Sequence, residues 1–126
     1  MPKASKTSAS EHMEIDGYEG HFENLDGTTV GFEKYTADAD LTPLFAGLPD
    51  DRCQCSHWGY VIKGKLTFKT ANGDETFETG DAYYVGPGHT PVLYAGTEVV
   101  EFSPTVELQH TMETVEKNLA AAAPAG

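Results

Sequence analysis

Two thiols and an imidazole alternate in Cys53-Gln54-Cys55-Ser56-His57. Alternate side chains of an extended strand share one face, so this spacing aims three metal-type donors in one direction. Thiolate and imidazole are the soft-to-borderline donors that hold zinc, iron or copper. A straight strand separates residues 53 and 57 by roughly 13 Å, too far for both to reach one ion. Straight backbone therefore favours Cys55 beside His57, and a bend or bulge would let Cys53 join. The competing reading is packing, because free cysteines behave as small hydrophobes. A disulfide is disfavoured, since positions i and i+2 on a strand lie roughly 6.5–7 Å apart and close a very small loop. His12, His21 and His110 stand in polar or peripheral contexts and read as solvated.

Short β-rich runs punctuated by Gly, Asn, Asp and Pro surround this stretch: residues 28–35, 59–62, 65–70, 75–78, 82–85, 91–94 and 98–102. That rhythm predicts an all-β fold of about seven to ten strands. Asn72-Gly73 marks a hairpin, because both residues tolerate positive φ. After Pro104 the period changes: Leu108, Met112, Val115 and Leu119 make one stripe of a helix near residues 106–119. Trp58 and Tyr60 alternate with His57 and should face the other way, while Phe68, Phe77, Tyr83 and Tyr84 read as barrel core. The expected organisation is a frayed tail over 1–12, one domain over 13–119 and a second frayed tail over 120–126.

The chain has 126 residues, 20 Asp and Glu against 8 Lys and Arg, and a formal charge of −12. Such a surface repels phosphate backbones and anionic membranes, so nucleic acid and membrane are excluded as expected partners. The start, Met1-Pro2-Lys3-Ala4-Ser5-Lys6, lacks the apolar stretch of a secretory signal, and no apolar run is long enough to span a bilayer. The expectation is a cytoplasmic chain.

Two segments together carry a family resemblance. Cys53–Gly64 and Gly80–Pro91 resemble the two motifs of the cupin superfamily, most closely small single-domain members whose first motif reads Cys-x-Cys-x-His-Trp-Gly-Tyr-Val. Counting back from Gly64 puts His57 on the family's Glu position, Cys53 on its second His position and Asp51 on its first. Gly80-Asp81-Ala82-Tyr83-Tyr84-Val85-Gly86-Pro87-Gly88 follows the second motif. There Pro91 occupies the usual His position and His89 lies two residues earlier, a shift that keeps the side chain on the same face. His89 could equally cap the turn after Pro87-Gly88. The resemblance implies a double-stranded β-helix, or jelly-roll barrel, with a metal inside, on whose sheet the C-terminal helix expected from the change of period would pack.

Strand spacing favours Cys55, His57 and His89 as the ligand set with Cys53 fourth, whereas the family register favours Cys53 and His57. Glu101 is a further candidate ligand or base. The expected cofactor is one divalent transition metal, zinc first, with copper, iron or nickel as alternatives, since soft donors favour such ions over magnesium or calcium. Three functions are compatible with such a site: an enzyme on a small organic molecule with oxygenase, isomerase or lyase chemistry, a non-catalytic module with a closed Cys2His2 site, or a metal-free structural barrel. Outward apolar residues such as Trp58 and Tyr60, together with the habit of the family, imply a homodimer.

Overall fold

Residues 28–35, 65–70 and 82–85 form strands with the boundaries that their β-branched and aromatic content predicts. The computed structural model describes residues 1–122, so the end of the expected tail, 123–126, lies outside the described residues. In chain order the strands are β1 (Glu11–Ile15), β2 (Tyr18–Leu25), β3 (Thr28–Tyr35), β4 (Ala39–Asp40), β5 (His57–Lys63), β6 (Lys65–Thr70), β7 (Gly73–Glu78), β8 (Ala82–Val85), β9 (His89–Leu93) and β10 (Thr97–Pro104), followed by the helix α1 (Thr105–Ala122). They build two antiparallel sheets, one of order β1-β2-β3-β10-β5-β8 and one of order β4-β9-β6-β7. This is a jelly-roll barrel with a C-terminal helix.

Three strands carried no sequence signal. β1 and β2 mix charged residues with Gly20 and few β-branched side chains; their order comes from pairing, β2 running residue for residue along β3. β4 is only two residues long and pairs with β9. Glu11 and His12, expected in the frayed tail, are thus the first two residues of β1. At the other end, Ala120–Ala122 continue α1 rather than fray. The Asn72-Gly73 hairpin forms with its loop one residue earlier: Thr70 pairs with Gly73, which leaves Ala71 and Asn72 as the loop and Gly73 as the residue at positive φ.

Between the sheets, Tyr35, Val61, Leu66, Phe68, Tyr83, Val85, Leu93 and Val99 form one buried cluster. A second, of Phe45, Leu48, Cys53, Cys55 and Val115, lies under α1 and receives Leu108, Met112 and Leu119, the predicted helical stripe. Asn118 locks the helix to the 3-10 turn at Thr42–Phe45 by donating to the carbonyls of Leu44 at 2.7 Å and Ala46 at 2.9 Å. Tyr84 departs from the core expectation: it is 55% exposed, because in β8 it falls on the opposite face from Tyr83 and Val85.

Candidate metal centre

Cys53 does not lie on a straight strand with His57. Pro49–Asp51 form a 3-10 turn in which Asp50 and Asp51 take φ of 56° and 55°, a left-handed conformation that Asp accepts more readily than most residues. The chain leaves that turn to make a single antiparallel bridge between Cys53 and His89, closed by Cys53 N–H to the His89 carbonyl at 2.8 Å and His89 N–H to the Cys53 carbonyl at 3.2 Å. Residues 54–56 are irregular, and β5 begins only at His57. The resulting bend brings Cys53 Sγ to 3.7 Å from His57 Nε2.

One donor atom each from Cys53, His57 and His89 lies within 4.8 Å of the others, and all three residues are buried. Cys55 is left out of this group. Its Sγ faces the Ser56 carbonyl at 3.4 Å, and its side chain packs in the cluster under α1. The spacing argument for Cys55 assumed extended backbone from 53 to 57; the bend removes that premise and exchanges the two cysteines. Both thiols are free. Asp51 is turned to its own loop, where its carboxylate accepts the Gly47 N–H at 2.9 Å.

Each imidazole is held through its other nitrogen. His89 Nδ1 lies 2.6 Å from the Gly86 carbonyl; a carbonyl only accepts, so this nitrogen carries the proton and the lone pair is left at Nε2. His57 Nδ1 lies 2.7 Å from Ser103 Oγ and 3.3 Å from Glu101 Oε1. Tying the far nitrogen to a carbonyl or carboxylate fixes tautomer and ring orientation, as at metal-ligating histidines generally. Burial, then the charge His57 can carry, pushes His89 down to about 4, with the Gly86 bond pulling the other way; His89 is therefore neutral, the ligating form, at neutral pH. Burial raises the Cys53 thiol, opposed by its hydrogen bonds with the Cys55 backbone and the Thr111 hydroxyl of α1, and burial and the nearby Cys53 raise Cys55 to about 12. The donor set fits a transition metal: one soft thiol and two preset imidazoles in a buried pocket.

Beside the cluster runs a polar wall that sequence reading largely missed. Glu101 of β10 accepts the Tyr83 hydroxyl while it faces His57. Burial raises Glu33 of β3 well above the ordinary carboxyl value, and the Glu101 charge adds to this. Tyr18 and Tyr35 are likewise raised by burial. The signal was available in β3, where Glu33 alternates with Gly31 and Tyr35 and so shares their inward face. Gly59 completes the wall by having no side chain: a Cβ there would meet the Tyr83 ring at 2.3 Å. Tyr18, Glu33, Tyr35 and Glu101, with the three donors, line a cavity of about 120 Å³ whose other walls are mostly apolar and include Met13, Ile15, Phe22, Leu108 and Met112. That is well under the roughly 300–1,000 Å³ of pockets for drug-sized ligands. His110 is exposed, as expected.

No family model matches the chain, and no curated protein matches it in sequence. Solved structures do. A protein of unknown function from Rhizobium leguminosarum bv. viciae is 18% identical with a TM-score of 0.58, over 82% of this chain and 94% of that one. An RmlC-like cupin from Shewanella frigidimarina is 15% identical with a TM-score of 0.51, over 75% and 83%. A variant of oxalate decarboxylase from B. subtilis is 12% identical with a TM-score of 0.54, over 80% of this chain and 28% of that one. At these identities the likeness shows the fold, and the fold is the one found in cupins.

Proposed function

We propose that this cupin-fold barrel binds one divalent transition metal through Cys53, His57 and His89 and acts there on a small organic molecule. The observation that carries this reading is the orientation of the donors: three buried ligand atoms within 4.8 Å, with both imidazoles tied at Nδ1. Zinc suits one thiolate and two imidazoles; copper, iron and nickel are the other ions such a set admits. When bound, the ion supplies Lewis acidity at a position that three protein ligands leave open.

The chain's own groups do the rest. Glu33, kept protonated by burial, can donate a proton into the cavity, and Glu101 can accept one beside His57. A buried carboxyl with a raised value, set near a second carboxyl, is a pattern that serves as an acid and base pair. Tyr18 and Tyr35 stay neutral and offer hydroxyls to a substrate oxygen. Proton transfer at a carbon or oxygen next to the metal is the step this set serves, which favours isomerase or lyase chemistry over oxygenase chemistry. The closed Cys2His2 module is a weaker reading because Cys55 lies outside the donor group.

Elemental analysis of protein purified without chelator or added metal, followed by an absorption spectrum, tests the reading. One ion per chain that His57→Ala lacks is expected, and the spectrum separates colourless zinc from a copper or iron thiolate. Native protein that takes up no more zinc on dialysis than His57→Ala does would overturn it in favour of the structural barrel.

A further inference from the structure

The outer face of the first hairpin carries a second group of donors. His12 of β1 stands directly opposite His21 of β2, and Glu14 directly opposite Glu19. Period-two alternation puts these four side chains on one face of the hairpin and Met13, Ile15, Tyr18 and Phe22 on the other. The imidazoles of His12 and His21 stack with centroids 4.6 Å apart. His21 Nε2 lies 2.9 Å from Glu19 Oε1, and His12 Nε2 lies 3.8 Å from the same oxygen and 3.9 Å from Glu14 Oε2. One ligand atom each from His12, Glu19 and His21 lies within 4.8 Å of the others.

We propose that His12, His21 and Glu19 form a second metal site, for a zinc-class divalent ion, that clips the edge strand β1 to β2. Two imidazoles and one carboxylate are a borderline donor set that zinc accepts with water in its remaining position. Cross-strand pairing supplies the geometry, since directly opposed residues and their diagonal neighbours on one sheet face come within ligand reach of each other. The His21 bond already lowers Glu19 below the ordinary carboxyl value, so the carboxylate is ionised wherever the imidazoles are neutral. All three side chains are partly open to solvent, at 47%, 38% and 30% for His12, Glu19 and His21, so the ion enters directly from water.

The site has a structural consequence for the barrel. β1 is an edge strand, paired to β2 alone, and its Met13 and Ile15 form part of the cavity wall. An ion on the outside of the hairpin therefore holds in place two residues of the inside.

The test is zinc titration of the full chain by calorimetry, comparing the native sequence with His12→Ala/His21→Ala. The proposal expects one more zinc per chain in the native protein than in the double variant. Either single alanine should weaken that extra site by at least the ~10–100-fold that loss of a mere outer partner costs a metal site. Zinc should also slow hydrogen exchange of the β1 amides in the native chain and leave them unchanged in the double variant. Both side chains lie on the solvent side of the hairpin, so circular dichroism of the variants should match the native protein. Identical zinc isotherms for native and double variant would overturn the proposal. Because only the difference between the two isotherms is read, the result is independent of whether the barrel itself binds an ion.

Discussion

The inner and outer faces of the six-stranded sheet reverse the usual allocation of side chains. Along β5 the inward residues are His57, Gly59 and Val61, while Trp58, Tyr60 and Ile62 point out and are 49%, 46% and 49% exposed. Along β10 the inward residues include Glu101 and Ser103, with Phe102 outside at 39% exposed. Polar groups are tolerated inside because each has a partner: His57 has Ser103 and Glu101, and Glu101 has Tyr83. Among the described residues no buried side-chain nitrogen or oxygen lacks one. The outer face has no such network, and an exposed cluster of large apolar residues is a surface suited to association. Alternation alone reveals that two faces differ; the partners reveal which face holds a polar network.

The largest effects are expected where the inner face depends on single donors. His57→Ala should lose the barrel's ion, one per chain, and Cys53→Ser should weaken its retention against a chelator by at least ~10–100-fold, whereas Cys55→Ser should keep it. Equal losses for the two serine variants, read by elemental analysis, would show that both thiols ligate and that the bend before β5 does not separate them. We propose that a second copy of the chain covers the outer face, and there Trp58→Glu with Tyr60→Glu should convert the dimer to monomer in sedimentation while the circular dichroism stays β-type. A native chain that sediments as a monomer at micromolar concentration would leave that face without its occupant.

A smaller effect is expected from Glu33. Its folded value is raised, so between the ordinary carboxyl value of 4.5 and the raised one the folded state binds more protons than the unfolded state. Stability conferred by this group is full below that ordinary value and falls as pH rises, by up to about 1.4 kcal/mol per pH unit. Thermal unfolding of metal-free protein across pH should show Glu33→Gln with the shallower decline; parallel profiles would mean that Glu33 titrates as a surface carboxyl. The smallest effect is a single proton. The raised Cys53 thiol is protonated before loading, so zinc uptake at neutral pH should release about one proton, measurable as a dependence of the calorimetric enthalpy on buffer ionisation. Cys53→Ser should lose it.

Much of the barrel was legible because strands such as β3, β6 and β8 have strong β propensity and sharp turns. The first hairpin was not, since Glu11–Leu25 is held by register against β3 rather than by its own composition. Type and spacing pointed to His57 and His89, and register with Gly64 pointed to Cys53, the three residues whose donor atoms the fold brings together. The choice of Cys55 over Cys53 followed from treating 53–57 as extended, and nothing local announces the bend that Asp50 and Asp51 initiate. Glu33 was overlooked because a lone Glu in a half-polar strand resembles a surface residue until its neighbours Tyr18, Tyr35 and Glu101 are assembled around it.

The clasp between Cys53 and His89 also sets an order of events during folding. His57 and Ser103 are 46 residues apart in sequence, and Cys53 and Thr111 are 58 apart, so closing these contacts belongs to the slow, non-local part of assembly. Near residue 53 an unfolded chain would offer an ion the neighbouring donors Cys53, Cys55 and His57. Completion of the barrel packs Cys55 beneath the helix and brings His89 beside Cys53. If the proposed ion bound before closure, it would exchange Cys55 for His89, and the rate of that change would time the closing of the barrel.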